Sequence, residues 1–341
     1  MQSIKQRRLA WLSIILAFGL VAAACGDDDD GGSGDAGGDS GSSEESGSIN
    51  ISGSSTVEPI SSLAAEAFQT ENSDVTIAVD GPGTGDGFEL FCAGETDISD
   101  ASRAIDEEEA AACEEAGIEY VELQIGFDGI TVLTSANNSS AECLSFADLY
   151  ALIGPEAEGI DNWSGAQPLA TELGSTTSFP DAALELTGPG AESGTYDSFI
   201  ELALADIAEQ RGQEETTRTD YASSADDNTI VSNVESSDTS LGWVGFAFAE
   251  AAGDEVKEIS VSAEPGGECV APSPETISDE SYPLSRPLFI YVNTAKAEDN
   301  ASLASFVDFY LDNLTEFVEE GGYVTMPDDQ VEATVSAWEG R

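Results

Sequence analysis

The sequence contains no histidine, and only 10 of its 341 residues are Lys or Arg, against 67 that are Asp or Glu. Without an imidazole, Ser-His-Asp and Cys-His nucleophilic systems, His-ligated zinc and histidine acid–base catalysis are excluded. The scarcity of cations argues against nucleic acid as a partner, because binding a phosphate backbone needs clustered Lys and Arg. Adsorption on an anionic lipid surface is disfavoured for the same reason. Paired-carboxylate hydrolysis stays open, although among so many acids such pairs arise by chance.

The remaining composition is that of a folded protein. Hydrophobic residues make up 40% of the chain, which is enough for a core, and the length allows two ordinary domains or one large bilobal unit. The net charge of −57 bears on solubility rather than on the fold. Enzyme functions are therefore disfavoured, and we expect neither a cofactor nor a metal ion.

The N-terminus has the pattern of an export signal. A short basic segment precedes an apolar run over residues 9–24, which predicts a secretory signal peptide at 1–24, with a one-span membrane anchor as the alternative. The run ends immediately before Cys25 and resembles a bacterial lipobox, although Ala22 stands where Leu is usual. We predict that Cys25 is lipidated and anchors the protein to the outer face of the cytoplasmic membrane.

The next segment, residues 26–48, predicts a flexible tether. It contains only Gly, Asp, Ser, Glu and one Ala, so it cannot bury a core, and its like charges extend it. A flexible coil of this length spans roughly 26 Å. The globular body is therefore expected to begin at residue 49.

Four cysteines remain in the body: Cys92, Cys113, Cys143 and Cys269. An even number in an exported protein predicts two disulfides, which allow three connectivities. We favour Cys92–Cys113, whose closed loop is short, together with Cys143–Cys269. A metal site made of four thiolates is the alternative, but the sequence has no C-x-x-C pair.

Strand and helix patterns alternate along the body. Short β-type runs occupy residues 49–52, 75–79, 118–125, 130–133, 184–187 and 288–292. Apolar residues at helical spacing predict helices near residues 56–68, 88–91, 199–207, 304–317 and 331–338. Alternation of this kind is typical of an α/β protein.

Three strand-to-helix junctions are rich in Gly and Ser or Thr, at residues 54–56, 83–85 and 193–195. Each offers free backbone N–H groups, a hydroxyl and the positive end of a helix dipole, which together suit an anion. The alternative is that these hydroxyls are ordinary helix N-caps.

Arg103 stands among acids in residues 96–105. A guanidinium can donate two parallel hydrogen bonds to a tetrahedral oxyanion. The alternative is a surface Arg paired with Asp100 or Asp106.

Six motifs occur in the order found in one family. They lie at residues 53–60, 83–88, 97–105, 128–130, 192–199 and 282–288. Together they make residues 49–341 similar to the phosphate-binding lipoproteins of bacterial phosphate ABC importers.

The resemblance implies a bilobal type II periplasmic-binding-protein-like fold, in which two α/β lobes are joined by a hinge. Lobe I would comprise residues 49–133 plus 286–341, and lobe II residues 134–285. Such a protein would capture inorganic phosphate between its lobes and deliver it to an ABC permease. It would act as a monomer that meets the membrane only through its lipid anchor.

The resemblance also implies the site. Phosphate would be held by Ser55, Thr56, Val57, Thr84, Ser102, Arg103, Asp128, Ser193, Gly194 and Thr195. Many relatives carry an Arg where this chain has Pro189, so Arg103 is assigned the guanidinium role. Some relatives have an Asp in place of Ser102, so Asp128 or Asp100 would accept the phosphate proton and thereby reject sulfate.

Three alternative functions stay open. The same fold could bind sulfate, molybdate or another oxyanion. The chain could be a secreted phosphatase or hydrolase, or a surface sensor or adhesin on the same fold.

Overall fold

The computed structural model describes residues 47–139, 141–191 and 193–341. The predicted signal peptide, the lipidation site at Cys25 and residues 26–46 of the predicted tether lie outside the described residues. The last two residues assigned to the tether, 47 and 48, belong to the first strand.

The described part of the chain forms ten strands. They are β1 (Gly47–Gly53), β2 (Val75–Asp80), β3 (Ile98–Ala101), β4 (Tyr120–Ser135), β5 (Cys143–Ser145), β6 (Glu185–Gly188), β7 (Ala222–Ser223), β8 (Ser240–Gly245), β9 (Val256–Ser262) and β10 (Ser285–Asn293).

Fourteen α-helices are found over the same residues. They are α1 (Glu58–Glu71), α2 (Thr84–Cys92), α3 (Glu107–Ala116), α4 (Phe146–Ile153), α5 (Gln167–Glu172), α6 (Gly194–Phe199), α7 (Ala205–Arg211), α8 (Asp227–Glu235), α9 (Phe246–Ala252), α10 (Pro274–Ser278), α11 (Thr294–Asp299), α12 (Ala301–Asp312), α13 (Leu314–Glu320) and α14 (Asp328–Glu339). A π-helical turn, Ile200–Leu204, joins α6 to α7.

The strands order themselves as β2-β1-β3-β10-β4-β8-β6-β7, with β9 pairing with β4 and β5. We call the part built around β2, β1, β3 and β10 the first half of the fold, and the part built around β6, β7, β8 and β9 the second half. In the first half, β2, β1 and β3 run parallel, so the loops that follow them lie at one edge of the sheet. In the second half, β6 runs parallel to both β7 and β8. The predicted α/β class is therefore confirmed, and the three Gly- and hydroxyl-rich junctions all follow the carboxyl ends of parallel strands, where ligands bind in open α/β sheets.

The long strand β4 links the two halves of the structure. Its residues up to Gly129 pair with β10, whereas residues from Ile130 onward pair with β8 and β9. The return crossing lies at Leu284, whose carbonyl accepts a hydrogen bond from the backbone N–H of Ile130 (2.9 Å). The partner exchange thus lies four residues before the predicted boundary at 133/134, and the return lies at 284/285, one residue before the predicted 285/286. The lobe bounds themselves stay a prediction.

Helix α1 shows why these segments fold as they do. Pro59 lies in its first turn, where a missing N–H costs nothing. Ile60, Ala64 and Phe68 follow at helical spacing and are buried, and the Phe68 ring packs edge-on against Phe306 of α12 (centroids 5.5 Å apart). This packing holds the C-terminal part of α1 against α12.

Both disulfide predictions are confirmed. Cys92, the last residue of α2, is bonded to Cys113 of α3, and Cys143 of β5 is bonded to Cys269. The first bond ties two neighbouring helices over 21 residues of chain, and the second closes 126 residues of the second half. Within the described ranges, no helix is both long and apolar enough to span a membrane.

Candidate anion-binding site

The junction after β1 turns its hydroxyls toward the second half of the chain. Ser54 Oγ accepts hydrogen bonds from the backbone N–H groups of Thr56 (3.2 Å) and Val57 (3.4 Å). The buried Thr56 hydroxyl lies 3.0 Å from the Ser198 hydroxyl of α6, and the Ser55 hydroxyl donates to Asp197 (2.9 Å). The first predicted junction therefore contacts α6 through Asp197 and Ser198.

The junctions after β2 and β3 come together. Thr84, the first residue of α2, lies with its hydroxyl 3.0 Å from the Ser102 hydroxyl and accepts the Ser102 backbone N–H (3.2 Å). Gly83 precedes it with φ +123°, a conformation that side chains rarely adopt. Thr84 and Ser102 line a cavity of about 500 Å³, which we call the first cavity. Its other lining residues are Pro82, Gly83, Gly85, Asp86, Arg103, Glu201 and Arg286.

Arg103 lies at the rim of this cavity rather than at its centre. Both of its terminal nitrogens donate to the carboxylate of Glu109 (2.7 and 2.6 Å), and its side chain is 45% exposed. Those hydrogen bonds raise the pKa of Arg103 above its ordinary value, although partial burial opposes the rise. Arg103, to which the sequence assigned the phosphate-binding guanidinium, thus lines the cavity with its terminal N–H donors already bonded to Glu109.

The central guanidinium belongs to Arg286 on β10. Its Nη2 donates to the hydroxyls of Thr56 (2.8 Å) and Ser198, and its Nη1 donates to Glu201. The side chain is only 9% exposed, so these contacts form largely out of water. Arg286 therefore connects the first junction, helix α6 and the first cavity, and it is the residue best placed to hold an anion between them.

Arg286 lies in the family motif at residues 282–288, but the sequence alone indicated no role for it. One signal was available, since residues 288–292 form an apolar run and a cation just before it is unusual in a chain with so few. What the pattern alone does not supply is the partner strand, which decides where the side chain points.

Asp128 lies directly opposite Arg286 in the register of β4 and β10. Its Oδ2 is 3.4 Å from Arg286 Nε, and it is almost completely buried. Burial raises the pKa of Asp128 above its ordinary value, and the opposing effect of Arg286 only partly offsets this. Asp128 is thus a buried carboxyl group that holds a proton or a hydrogen bond more strongly than an exposed aspartate does.

The third junction lines a different cavity, of about 300 Å³, which we call the second cavity. Ser193 Oγ accepts the backbone N–H of Thr195 (3.2 Å), as an N-cap of α6 does. Gly194 lies against the first junction, since a Cβ there would stand 3.0 Å from the Ser55 carbonyl oxygen. The second cavity is lined by Pro59, Asp128, Ser193, Gly194, Thr195, Ala225, Asp227, Gly245, Phe248, Gly321, Gly322 and Tyr323.

The predicted site residues therefore lie around two cavities and do not all surround one binding position. Thr84, Ser102 and Arg103 line the first cavity, whereas Asp128 and residues 193–195 line the second. The first junction, residues 55–57, lies among neither set of lining residues and bonds to α6 and Arg286 instead.

Asp100, the other predicted proton acceptor, lines neither cavity. It is completely buried beneath α1, where its Oδ1 accepts the Ser61 hydroxyl (2.9 Å). Burial raises its pKa to about 7; the hydrogen bond from Ser61 opposes this effect, and the charge of Glu58 adds to it. Asp100 is placed to affect α1 and not to touch a ligand in either cavity.

No cluster of three or more Cys, Asp or Glu residues suited to a metal ion occurs among the residues that the structure describes. The donors around the two cavities are hydroxyls, backbone N–H groups and guanidinium groups. Such groups bind an oxyanion directly.

Comparisons with known proteins agree with this chemistry. Residues 38–313 match the model of the PBP superfamily domain. The chain is 40% identical over 284 residues to the protein SphX of Synechocystis sp., covering 83% of this chain and 79% of that one. It is 34% identical over 315 residues to the phosphate-binding protein PstS of Staphylococcus epidermidis, covering 92% and 87%.

A solved structure gives the same result. The crystal structure of a possible phosphate-binding protein from Planctomyces limnophilus superposes with a TM-score of 0.77 at 35% identity, covering 87% of this chain and 99% of that one. The resemblance inferred from the motifs and the two-lobed α/β fold that it implied are thereby confirmed. The chain belongs to the PBP superfamily and, within it, to the family of PstS-like phosphate-binding proteins.

Proposed function

We propose that this protein captures inorganic phosphate between the two halves of its fold and delivers it to an ABC permease. The observation that carries the proposal is the buried guanidinium of Arg286, which donates to hydroxyls from both halves at the wall of the first cavity. The relatives whose names state phosphate binding give the ligand.

Within this proposal, Arg286 takes the role that the sequence gave to Arg103. The hydroxyls of Thr84 and Ser102 and the N-terminal end of α2 would bind phosphate oxygens from the first half. The junction at residues 193–195 already lies against the first junction through Gly194 but lines the second cavity, so a hinge movement would have to turn its N–H groups toward the first cavity. Arg103 contributes positive charge at the rim.

Asp128 is the proposed acceptor of the phosphate proton. It is buried, it lines the second cavity, and its Oδ2 has no hydrogen-bond partner within the described structure. A carboxylate in this place repels fully deprotonated sulfate and accepts a hydrogen bond from the P–OH group of phosphate. Asp128 would therefore give the site its selectivity.

Export and anchoring complete the proposal. The segment before the body would direct the chain across the cytoplasmic membrane, and lipid on Cys25 would keep it on the outer face, where a permease can receive phosphate. A Cys25→Ser variant is expected to leave the membrane fraction. Its retention there would contradict anchoring through this residue.

Calorimetric titration with phosphate and then with sulfate tests the proposed function. One-to-one binding of phosphate with no response to sulfate is expected. Binding of sulfate as well as phosphate would show that no carboxylate acceptor operates. Absence of phosphate binding would overturn the assignment.

A further inference from the structure

Glu201 occupies the first cavity between two guanidinium groups. It lies in the π-helical turn Ile200–Leu204, one helical turn after Ser198, and its Oε2 accepts the Nη1 donor of Arg286. It also lines the cavity together with Arg103, whose pKa is raised chiefly by Glu109 and additionally by the charge of Glu201. A carboxylate of this chain thus lies in the place where the cationic groups would receive an anion.

We propose that Glu201 is a built-in competitor of phosphate, whose carboxylate must leave Arg286 Nη1 before a phosphate oxygen can take that donor. The inference rests on the proposed function. By competing for Arg286, Glu201 would lower the apparent affinity of the site for an anion.

The exposures of the two partners support a displaceable contact. The Arg286 side chain is 9% exposed, whereas the Glu201 side chain is 58% exposed. Glu201 can therefore turn into water at little cost, because its carboxylate keeps most of its hydration. Arg286 cannot leave, since it is held by Thr56 and Ser198 and lies against Asp128.

The charges around Arg286 also favour displacement of Glu201 by an anion. The single positive charge of Arg286 is faced by two carboxyl groups, Asp128 and Glu201. When both are ionised, an incoming phosphate meets a net negative charge at the contact that should attract it. Removing the charge of Glu201 relieves this repulsion and frees a donor in one step.

The test compares Glu201→Gln with Glu209→Gln by calorimetric titration of the protein with inorganic phosphate. Glutamine keeps the shape of Glu201 and removes its charge, and Glu209 is an exposed acid on the adjoining helix α7 that lines neither cavity. We expect Glu201→Gln to bind phosphate about tenfold more tightly, because one like charge has left the contact. Glu209→Gln is expected to match the wild type.

Thermal unfolding without phosphate separates competition from a purely structural role. Loss of the ion pair should leave the melting temperature of Glu201→Gln equal to or below that of the wild type while its phosphate affinity rises. Unchanged or weakened phosphate binding by Glu201→Gln would overturn the inference alone. If the wild type itself binds no phosphate, the proposed function fails, and this inference fails with it.

Discussion

The carboxylate of Asp128 and the guanidinium of Arg286 face each other across two antiparallel strands, with Oδ2 and Nε 3.4 Å apart. Neither of these two atoms makes a hydrogen bond within the described structure, although both are buried. A buried polar atom without a partner is costly, so the arrangement is favourable only if a ligand or a proton completes it. The pair therefore places the positive charge that attracts an anion beside the carboxyl group that would distinguish a protonated anion from a fully deprotonated one.

Replacing Asp128 by Asn should change selectivity more than stability. The amide fills the same space, can donate as well as accept, and carries no charge to repel sulfate. We expect the ratio of sulfate affinity to phosphate affinity to rise by about 100-fold, because the mismatch that excluded sulfate is removed. Titration of the variant with each anion measures the ratio.

Asp100→Asn is the matched control for this prediction, since Asp100 is also buried but lines neither cavity. Its affinity ratio should equal that of the wild type. An unchanged ratio in Asp128→Asn, or an equal rise in both variants, would show that Asp128 does not select the anion.

Arg286 and Arg103 can be ranked by the same conservative substitution. Arg286→Lys keeps a positive charge but cannot reproduce the forked contacts to Thr56, Ser198 and Glu201. Phosphate affinity should fall by about 3 kcal/mol, the typical cost of losing one partner of a buried charge contact. Arg103→Lys, at an exposed position, should cost less than about 1 kcal/mol.

Titration of both variants with phosphate decides between the two arginines. A larger loss in Arg103→Lys would restore the assignment made from the sequence. Circular dichroism of Arg286→Lys guards against a folding defect, because Asp128 would otherwise be left buried without its guanidinium partner.

Four of the ten strands, β1, β2, β6 and β10, could each be predicted from local pattern as a single run, whereas the longest strand could not. The sequence predicts two strands, at residues 118–125 and 130–133, where the structure has the single strand β4. Gly126 and Gly129 lie between or beside the two predicted runs. In the structure, Gly126 and Gly129 lie in the strand where a Cβ would stand 3.1 Å from Val318 and 2.5 Å from Ile277, so they permit close packing of helices.

The candidate site, too, could be predicted only in part from local sequence pattern. The three junctions could be found because Gly, Ser and Thr at the starts of helices form a local pattern. The pairing of Arg286 with Asp128 depends on the register of two strands that are far apart in the chain, which local pattern does not determine. The resemblance supplied residues of the site, yet it led to Arg103 because the Arg expected before residues 193–195 is absent.

Gly194→Ala should interfere with the approach of the two halves. Its Cβ would stand 3.0 Å from the Ser55 carbonyl oxygen and 3.1 Å from Thr56 Cα, so backbone would have to move apart. We expect phosphate affinity to fall about tenfold, because α6 would move away from the first junction and its contacts with Ser55 and Thr56 would lengthen. Titration with phosphate measures the loss.

Gly165→Ala provides the comparison, since its Cβ would be similarly crowded, at 3.1 Å from Ile160, but lines neither cavity. It should bind phosphate like the wild type. Equal affinity of Gly194→Ala and the wild type would mean that this contact is not needed for binding.

Asp100 makes stability depend on pH. Its pKa is raised from 3.8 to about 7 in the folded protein. Between these two values the folded state retains a proton that the unfolded state releases, so this group lowers stability progressively as pH rises through that range. Above the folded pKa the cost is constant. Asp100→Asn removes the titrating group while an amide can still accept the hydrogen bond from Ser61.

Denaturant unfolding of the wild type and Asp100→Asn at about pH 5 and about pH 8 measures this effect. The stability of the variant relative to the wild type should increase by about 3 kcal/mol between the two values, because roughly two units of the shift lie in this interval. Asp74→Asn, at an exposed position before β2, should show no such change. A difference between Asp100→Asn and the wild type that is the same at both pH values would mean that the carboxyl is already ionised at the lower one, and that burial beneath α1 does not hold its proton.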